Sequence, residues 1–263
     1  MEFQGKVAIV TGGSKGMGYG AAKRLASGGA AMVIAAWEGA EEAAEQVRQE
    51  TGNPNVLGVT VDVSRSEQVQ AMVRQTVEAF AGVDILVNSA GIQRYGTVVD
   101  TEEDVWDDVL NINLKGIYLA SKYAIPEMRK RGGGAIVHIS SVQAYMAQKG
   151  VAAYSASKGA INALTRAMAV DHAAEGIRVN CVCPASIDTP MLRHSAEQFK
   201  GEKTQEDILK SWGTMHPLGR IGTIPEVAEL IAFLCSERAS FITGGDYKID
   251  GGMLSALGVV LPE

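Results

Sequence analysis

Short apolar runs alternate with longer amphipathic stretches along most of the chain. Seven runs have the length and the content of Val, Ile and Ala that buried β-strands favour, at residues 6–10, 31–35, 56–61, 84–87, 135–139, 177–182 and 247–249. The stretches between them place apolar residues at helical spacing. Strands that alternate with helices imply right-handed crossovers. The pattern therefore predicts one α/β domain over residues 1–263, a doubly wound and mainly parallel seven-stranded sheet with helices on both faces.

The segment from about 190 to 217 departs from this alternation. It is polar, has no clear period and is longer than most connections between strands and helices. We expect an irregular segment that covers the substrate as a lid. The rest of the chain contains no repeat or low-complexity tract, which agrees with a single domain.

The composition is that of an ordinary globular protein, with 46% hydrophobic and 21% charged residues. A net charge of −6 without any long Lys/Arg run argues against nucleic acid or an anionic membrane as partner. The sequence has no apolar span of about 20 residues and no signal-peptide pattern, so we expect a cytoplasmic protein. The three cysteines and four histidines lack metal-ligand spacing, which predicts no metal site.

The first predicted strand runs directly into a glycine-rich loop, and a helical pattern follows. Gly12, Gly16 and Gly18 allow a sharp turn and a close approach of the backbone to a pyrophosphate. Free N–H groups at the start of the helix can hold the charge of that pyrophosphate. The order strand, glycine loop and helix therefore predicts a dinucleotide site at the carboxyl end of the sheet.

A second set of candidate chemical groups lies in the middle of the chain. Tyr154 and Lys158 are four residues apart, so on a helix they share one face. Free tyrosine titrates at about 10, and a neighbouring cation lowers that pKa and makes the phenol a usable acid and base. Ser141 follows a predicted strand whose end would present its hydroxyl to the same site. Such Tyr/Lys pairs also occur by chance on many helices, so the assignment depends on the rest of the chain.

In combination, these motifs resemble the short-chain dehydrogenase/reductase family over essentially the whole chain, and the resemblance implies a Rossmann fold. The run from Thr11 to Gly18 matches the cofactor loop of the family, and the run from Asn88 to Gly91 matches the motif after its fourth strand. Asp62 matches the acidic residue near the adenine. The four catalytic positions of the family are matched by Asn113, Ser141, Tyr154 and Lys158.

The resemblance implies hydride transfer between a nicotinamide and a carbon that bears an alcohol or a carbonyl. Tyr154 would exchange the proton, and Ser141 would hold the substrate oxygen. Lys158 would bind the nicotinamide ribose and lower the phenol pKa, and Asn113 would anchor a water chain to it. Positions that match cofactor contacts are Gly12, Ser14, Lys15, Gly16, Met17, Gly18, Ala36, Trp37, Asp62, Val63, Asn88, Ala90, Gly91, Tyr154, Lys158, Pro184, Ile187 and Thr189.

The end of the second strand bears on the choice of cofactor. Relatives that prefer NAD usually carry an Asp there, and this chain has Ala36. A carboxylate would repel a 2′-phosphate, so its absence, together with Lys15 in the glycine loop, favours NADP over NAD. Glu38 lies close by in the sequence, so NAD or dual use stays open.

The substrate is expected to be polar, because each buried hydroxyl of a polyhydroxylated ring needs a partner. Runs such as Ser140 to Gln143 and Ser211 to Pro217 are similar to the aldose 1-dehydrogenases of this family, which implies oxidation of an aldose at C1 to the aldonolactone. The candidate substrate residues are Gln93, Ser141, Gln143, Tyr154, His194, Trp212 and His216. A ketone or 3-oxoacyl reductase shares every catalytic residue and stays open. The intact Tyr/Lys pair argues against a cofactor-sensing binding protein.

The resemblance also implies an assembly. The tail at about 253–263 is nearly uncharged until its end, and the resembling enzymes pack this tail at a subunit interface. We therefore expect a homotetramer.

Overall fold

Seven strands pair in one all-parallel sheet in the computed structural model, which describes residues 1–257. They are β1 (Val7–Thr11), β2 (Ala31–Ala36), β3 (Val56–Thr60), β4 (Ile85–Asn88), β5 (Gly134–Ile139), β6 (Ile177–Pro184) and β7 (Asp246–Ile249). Their order across the sheet is β3-β2-β1-β4-β5-β6-β7, so the winding direction changes between β1 and β4. The predicted doubly wound sheet is confirmed, and it is parallel throughout.

Helices cover both faces of this sheet. They are α1 (Gly16–Ser27), α2 (Ala40–Thr51), α3 (Ser66–Phe80), α4 (Glu103–Leu110), α5 (Gly116–Lys130), α6 (Ala152–His172), α7 (Pro190–Phe199), α8 (Gln205–Gly213) and α9 (Ile224–Cys235). One apolar core joins the sheet to α1, α2 and α9, and a second joins it to α3, α5 and α6. Because helices bury both faces of the sheet, the strands appear in the sequence as nearly continuous apolar runs. Within residues 1–257 no helix combines the length and hydrophobicity needed to cross a bilayer.

The end of β1 is tied to the end of β4, where the winding changes. The Thr11 hydroxyl oxygen accepts hydrogen bonds from the backbone N–H groups of Ser89 at 3.2 Å and Ala90 at 3.3 Å. Gly12 has φ of +63°, and a Cβ at this position would lie 2.7 Å from the Ala90 Cα. A glycine is required there for both reasons. The contact fixes the glycine loop beside the turn that follows β4.

The segment from 190 to 217 is largely helical, so the expectation of an irregular segment was wrong. α7 begins after Thr189, whose hydroxyl accepts a backbone N–H of the first turn at 3.3 Å. α8 begins after Thr204, which forms a capping box with Asp207. Helices of this length contain too few apolar residues for the helical period to be recognised in the sequence. Of the tail predicted at an interface, residues 258–263 lie outside the described residues.

Candidate active site

The start of α6 and the end of β5 hold the predicted catalytic residues together. Tyr154 lies in the first turn of α6, and the Lys158 Nζ is 5.3 Å from the centroid of its ring. The same Nζ donates to the Ile139 carbonyl oxygen at 2.8 Å. Ile139 is the last residue of β5, so this bond fixes the helix against the strand that leads to Ser141.

Ser141 is buried in extended backbone just after β5, before a short 3₁₀ turn at 142–144. Its Oγ accepts from the Gln143 backbone N–H at 3.1 Å, which orients the hydroxyl. Ser141 and Tyr154 line the same cavity, so the two side chains can meet on one substrate oxygen.

Burial controls the titration of the two ionisable groups. Desolvation raises the pKa of Tyr154 to about 12, and its hydrogen bond with the Ser141 hydroxyl opposes this only in part. Desolvation lowers the pKa of Lys158 to about 8, with the Cys183 thiol opposing it. The cost of burying a phenolate thus dominates the pKa of Tyr154 in the chain alone, and the lowering of this pKa by Lys158 stays a prediction.

Asn113 lies in a π-helical turn, Asn111–Lys115, between α4 and α5. It is fully buried, and its Oδ1 accepts from the Ile92 N–H at 2.8 Å. Its Nδ2 donates to the Ile92 carbonyl at 2.9 Å and to the Ser157 Oγ at 3.1 Å. The amide thus fixes the loop after β4 against α6. Such turns recur at functional sites, but the water chain predicted for Asn113 stays a prediction.

The glycine loop fits the pyrophosphate of a dinucleotide. α1 begins at Gly16, and no side chain caps its first turn, so backbone N–H groups are free to bind an anion. A Cβ on Gly18 would lie 2.2 Å from the Gly12 carbonyl oxygen, so a side chain there would close the loop. At the third strand, the Asp62 carboxylate is oriented by the Ser64 N–H at 2.9 Å and hydroxyl at 2.7 Å.

The cofactor positions predicted on β6 and beyond reach the same region. Pro184, Ile187 and Thr189 line the cavity with Met17 of the glycine loop. A Cβ on Gly16 would lie 3.6 Å from the Thr189 Cγ2, so the turn before α7 adjoins the glycine loop. Gly91 is placed similarly, with a Cβ there 3.9 Å from the Lys158 Nζ. These positions therefore adjoin the glycine loop, Lys158 and the cavity.

A cavity of about 420 Å³ opens beside Ser141 and Tyr154. It contains five of the seven predicted substrate residues, and among the described residues that line it none is charged. Among the other lining residues, which were not predicted to contact the substrate, are Gln148, Met146, Met191, Met215 and Met253. The Gln143 amide is held by the Ser155 hydroxyl at 3.1 Å and the Gln148 Oε1 at 3.3 Å. The site is thus less polar than predicted, with amides on one part of its wall and methionines on another.

Two predicted substrate residues lie away from this cavity. His194 is exposed on α7, because Met191, Leu192 and Ser195 occupy the face of that helix that lines the cavity. His216 is buried, and its Nδ1 lies 2.6 Å from the Asp250 carbonyl oxygen. It lines a separate cavity of about 90 Å³. The prediction that His194 and His216 contact the substrate is therefore corrected.

The loop after β4 contacts α7, which is in turn joined to α8. The Tyr95 hydroxyl donates to the Ser195 Oγ at 2.7 Å, and its ring meets the Phe199 ring edge-on at 4.7 Å. The Arg193 guanidinium joins α7 to α8, with bonds to Asp188 at 2.6 and 2.8 Å and to Glu206 at 2.8 Å. These contacts hold the two helices over the cavity. Within residues 1–257 there is no cluster of His, Cys, Asp or Glu suited to a metal ion.

A glycine loop at a helix start, next to a Tyr/Lys pair and a cavity, defines a dinucleotide-dependent oxidoreductase. The similarity of this chain to known proteins indicates the same class of enzyme. A family model described as enoyl-(acyl carrier protein) reductase matches residues 12–254. Meso-2,3-butanediol dehydrogenase from Serratia marcescens is 36% identical over 98% of this chain and 98% of its own length.

Solved structures extend the comparison. The ligand-free aldohexose dehydrogenase from Thermoplasma acidophilum has a TM-score of 0.90 at 37% identity, over 99% of this chain and 98% of that one. The L-sorbose reductase from Gluconobacter frateurii, complexed with NADPH and L-sorbose, has a TM-score of 0.93 at 34% identity, over 98% and 100%. The chain belongs to the short-chain dehydrogenase/reductase family and is an NAD(P)-dependent dehydrogenase/reductase.

Proposed function

We propose that this enzyme oxidises an aldose at C1, converting aldose and NADP⁺ to aldonolactone, NADPH and a proton. The observation that carries the proposal is the lining of the cavity beside Tyr154. Three glutamine amides line it, and no charged side chain does so among the described residues. The similarity to an aldohexose dehydrogenase and an L-sorbose reductase supports the same substrate class.

This lining suits an uncharged, polyhydroxylated ring. The side chains of Gln93, Gln143 and Gln148 each offer both donors and an acceptor, which is what a sugar hydroxyl needs on burial. Trp212 offers a flat apolar surface to the C–H face of a ring. A phosphate or carboxylate on the substrate would be buried without a cationic partner there, at a cost of several kcal/mol.

The residues of the chain supply the proton transfer. A bound nicotinamide would supply the acceptor for the hydride, the hydrogen with its electron pair, that leaves C1. The Ser141 hydroxyl holds the C1 oxygen, and the Tyr154 phenolate takes its proton. The Lys158 ammonium, 5.3 Å from the ring, stabilises the phenolate that this step requires. The amide of Asn113 keeps the loop after β4 in place beside Lys158.

We favour NADP over NAD, with both accepted. The residue at the end of β2 is Ala36, which brings no negative charge against a 2′-phosphate. Lys15 in the glycine loop brings a positive charge. Glu38 follows closely after Ala36, which limits the preference.

We also propose a homotetramer. Phe241 is fully exposed and Leu257 is largely so, and an interface would bury such apolar surface. Analytical ultracentrifugation would test this, with a monomeric mass of 27.8 kDa as the contrary result.

A reductase of ketones or 3-oxoacyl groups is the second candidate. The methionines along the cavity accept apolar chains, and burial keeps the Tyr154 phenol protonated at neutral pH, ready to donate to a carbonyl.

A substrate panel separates the two functions. Hexoses and deoxyhexoses are offered with NADP⁺ and with NAD⁺, and β-keto esters and simple ketones are offered with the reduced cofactors. Hexose 6-phosphates serve as matched charged controls. We expect NADPH to form with one or more neutral aldoses and not with their phosphates. Turnover of keto esters with no turnover of any aldose would overturn the proposal in favour of the reductase.

A further inference from the structure

His216 joins two segments that both reach the cavity beside Tyr154. The first is the end of α8 and the turn that follows it, where Trp212 and Met215 line the cavity. The second is the turn after β7, where Met253 lines the same cavity. These side chains come from distant parts of the chain, so contacts between the two segments have to fix their relative positions.

The His216 ring bonds to the second of these segments. Its Nδ1 lies 2.6 Å from the Asp250 carbonyl oxygen. The same oxygen accepts a hydrogen bond from the Met253 backbone N–H at 3.1 Å. A backbone bond runs alongside, from the Leu218 N–H to the Gly251 carbonyl oxygen at 3.1 Å. The imidazole therefore links the chain after α8 to the turn that carries Met253.

Close packing holds this contact in place. The His216 side chain is buried, with 3% of its surface exposed. Gly251 has φ of +59°, and a Cβ there would lie 3.2 Å from the His216 Cβ. Gly252 has φ of +88°, and a Cβ there would lie 3.0 Å from the Pro217 Cγ. The two glycines thus let the turn lie directly against the chain after α8.

The two nitrogens of the His216 ring differ in what they contact. A carbonyl oxygen only accepts, so Nδ1 carries the proton of the bond to Asp250. In the neutral ring Nε2 then has a lone pair. This buried Nε2 has no hydrogen-bond partner within residues 1–257, and the ring lines the separate cavity of about 90 Å³. In the described part of the chain, the ring therefore bonds through Nδ1 alone.

We propose that His216 is a positioning residue for the dehydrogenase/reductase reaction, because its bond to Asp250 fixes the end of α8 against the turn after β7; this inference rests on the proposed use of the cavity for the substrate. With the bond in place, this wall of the cavity is formed before the substrate binds. Without it, the two segments have to be ordered on binding, and that cost weakens binding. Ser141 and Tyr154 lie on other elements and keep their geometry.

Three substitutions of His216 separate the roles of the two nitrogens. In His216→Asn the amide nitrogen is two bonds from Cβ, as Nδ1 is, so it can still donate to the Asp250 carbonyl. In His216→Gln the amide nitrogen is three bonds from Cβ, as Nε2 is, so the bond to Asp250 is lost although a polar group remains. His216→Leu removes both nitrogens. Loss of one such hydrogen bond changes an equilibrium by about fivefold.

Steady-state kinetics with the best substrate of the panel is the first measurement. We expect KM to rise about fivefold in His216→Gln and His216→Leu, and to stay within about twofold of the wild type in His216→Asn. Both kcat and nucleotide affinity, the latter from calorimetry, should change less than about twofold, since the reacting groups and the glycine loop are untouched. His194→Leu, which replaces an exposed histidine on α7, is the matched control and should change none of these values.

Acrylamide quenching of Trp212 fluorescence is the second measurement, and it needs no substrate. Trp37→Phe and Trp106→Phe, introduced for this measurement only, leave Trp212 as the one tryptophan of the chain. In that background His216→Gln and His216→Leu should raise the quenching constant at least about twofold, because the end of α8 opens more often, and His216→Asn should not. Circular dichroism establishes that each variant is folded, and His216→Gln carries the test if His216→Leu is not.

Each outcome decides the role of His216. If KM and quenching are the same in the wild type and in His216→Gln, the inference is overturned while the proposed function stands. More quenching with an unchanged KM would overturn the positioning role as well. A rise of KM in His216→Asn as large as in His216→Gln would also overturn it, because the Nδ1 bond would not be the cause. If only keto esters turn over, the proposed function fails, and the same comparison of KM with the best keto ester still decides the role of His216.

Discussion

Replacing Lys158 by Met should stabilise the fold at neutral pH while it removes activity. The Lys158 side chain is 5% exposed, and desolvation lowers its pKa from 10.5 to about 8. A displacement of this size corresponds to a penalty of about 3 kcal/mol when the lysine is charged. Met has a similar length and no charge, but it leaves the Ile139 carbonyl without its donor, at a cost of about 1 kcal/mol. The expected net gain is about 2 kcal/mol, or about 5 °C in Tm.

The pH dependence of this gain follows from the direction of the pKa change. The folded pKa of Lys158, about 8, lies below the ordinary lysine value of 10.5, so between these pH values the unfolded chain binds more protons. Wild-type stability therefore rises with pH through that window, whereas below it the penalty is complete. The advantage of Lys158→Met should shrink to less than about 1 kcal/mol near pH 10.

Thermal unfolding followed by circular dichroism at pH 7 and pH 10, without nucleotide, measures both values. Lys149→Met removes an exposed lysine in the loop before α6 and controls for net charge; it should change Tm by less than about 1 °C. If Lys158→Met unfolds at or below the wild-type temperature at pH 7, or if its advantage is the same at pH 10, the reasoning from burial is refuted.

Two further predictions concern the lid and the phenol. Tyr95→Phe keeps the ring contact with Phe199 but loses the 2.7 Å bond to Ser195, so the lid should open more often and KM should rise about threefold to tenfold with a smaller change in kcat. Ser195→Ala should reproduce this in steady-state kinetics, and an unchanged KM in both variants would contradict it. Because burial raises the pKa of Tyr154 to about 12, alcohol oxidation should accelerate from about pH 6 to pH 9 while carbonyl reduction does not. Initial rates measured in both directions would test this, and an oxidation rate that falls with pH would contradict it.

The strands and the glycine loop could be predicted because their signals are local. The run from Ala135 to Ile139 has buried apolar residues on both faces, with His138 its one polar member, as a strand between two layers of helices requires. The glycine spacing identifies Gly12 and Gly18 in the sequence. The structure gives the reason for it, since a Cβ at either position would lie less than 3 Å from another part of the backbone. The spacing of Tyr154 and Lys158 has the same local origin, since one helix carries both.

The lining of the cavity could not be predicted in the same way. Met146, Met215 and Met253 come from three separate segments and meet only in the folded chain. His194 and His216 were assigned from composition near the lid, but the rotation of α7 turns the first outward, and the Asp250 carbonyl holds the second elsewhere. The raised pKa of the phenol could not be predicted either, because sequence spacing gives the neighbouring charge but not the depth of burial.

The most direct test of proton transfer by Tyr154 is the activity of Tyr154→Phe. Formation of NADPH or NADH from the best aldose is measured for this variant and the wild type, together with nucleotide binding by calorimetry. We predict that turnover falls at least about a hundredfold while nucleotide affinity stays within about threefold, because the phenol exchanges a proton that phenylalanine cannot. Retention of more than about a tenth of the activity, with binding intact, would contradict the assignment of Tyr154 as the acid and base.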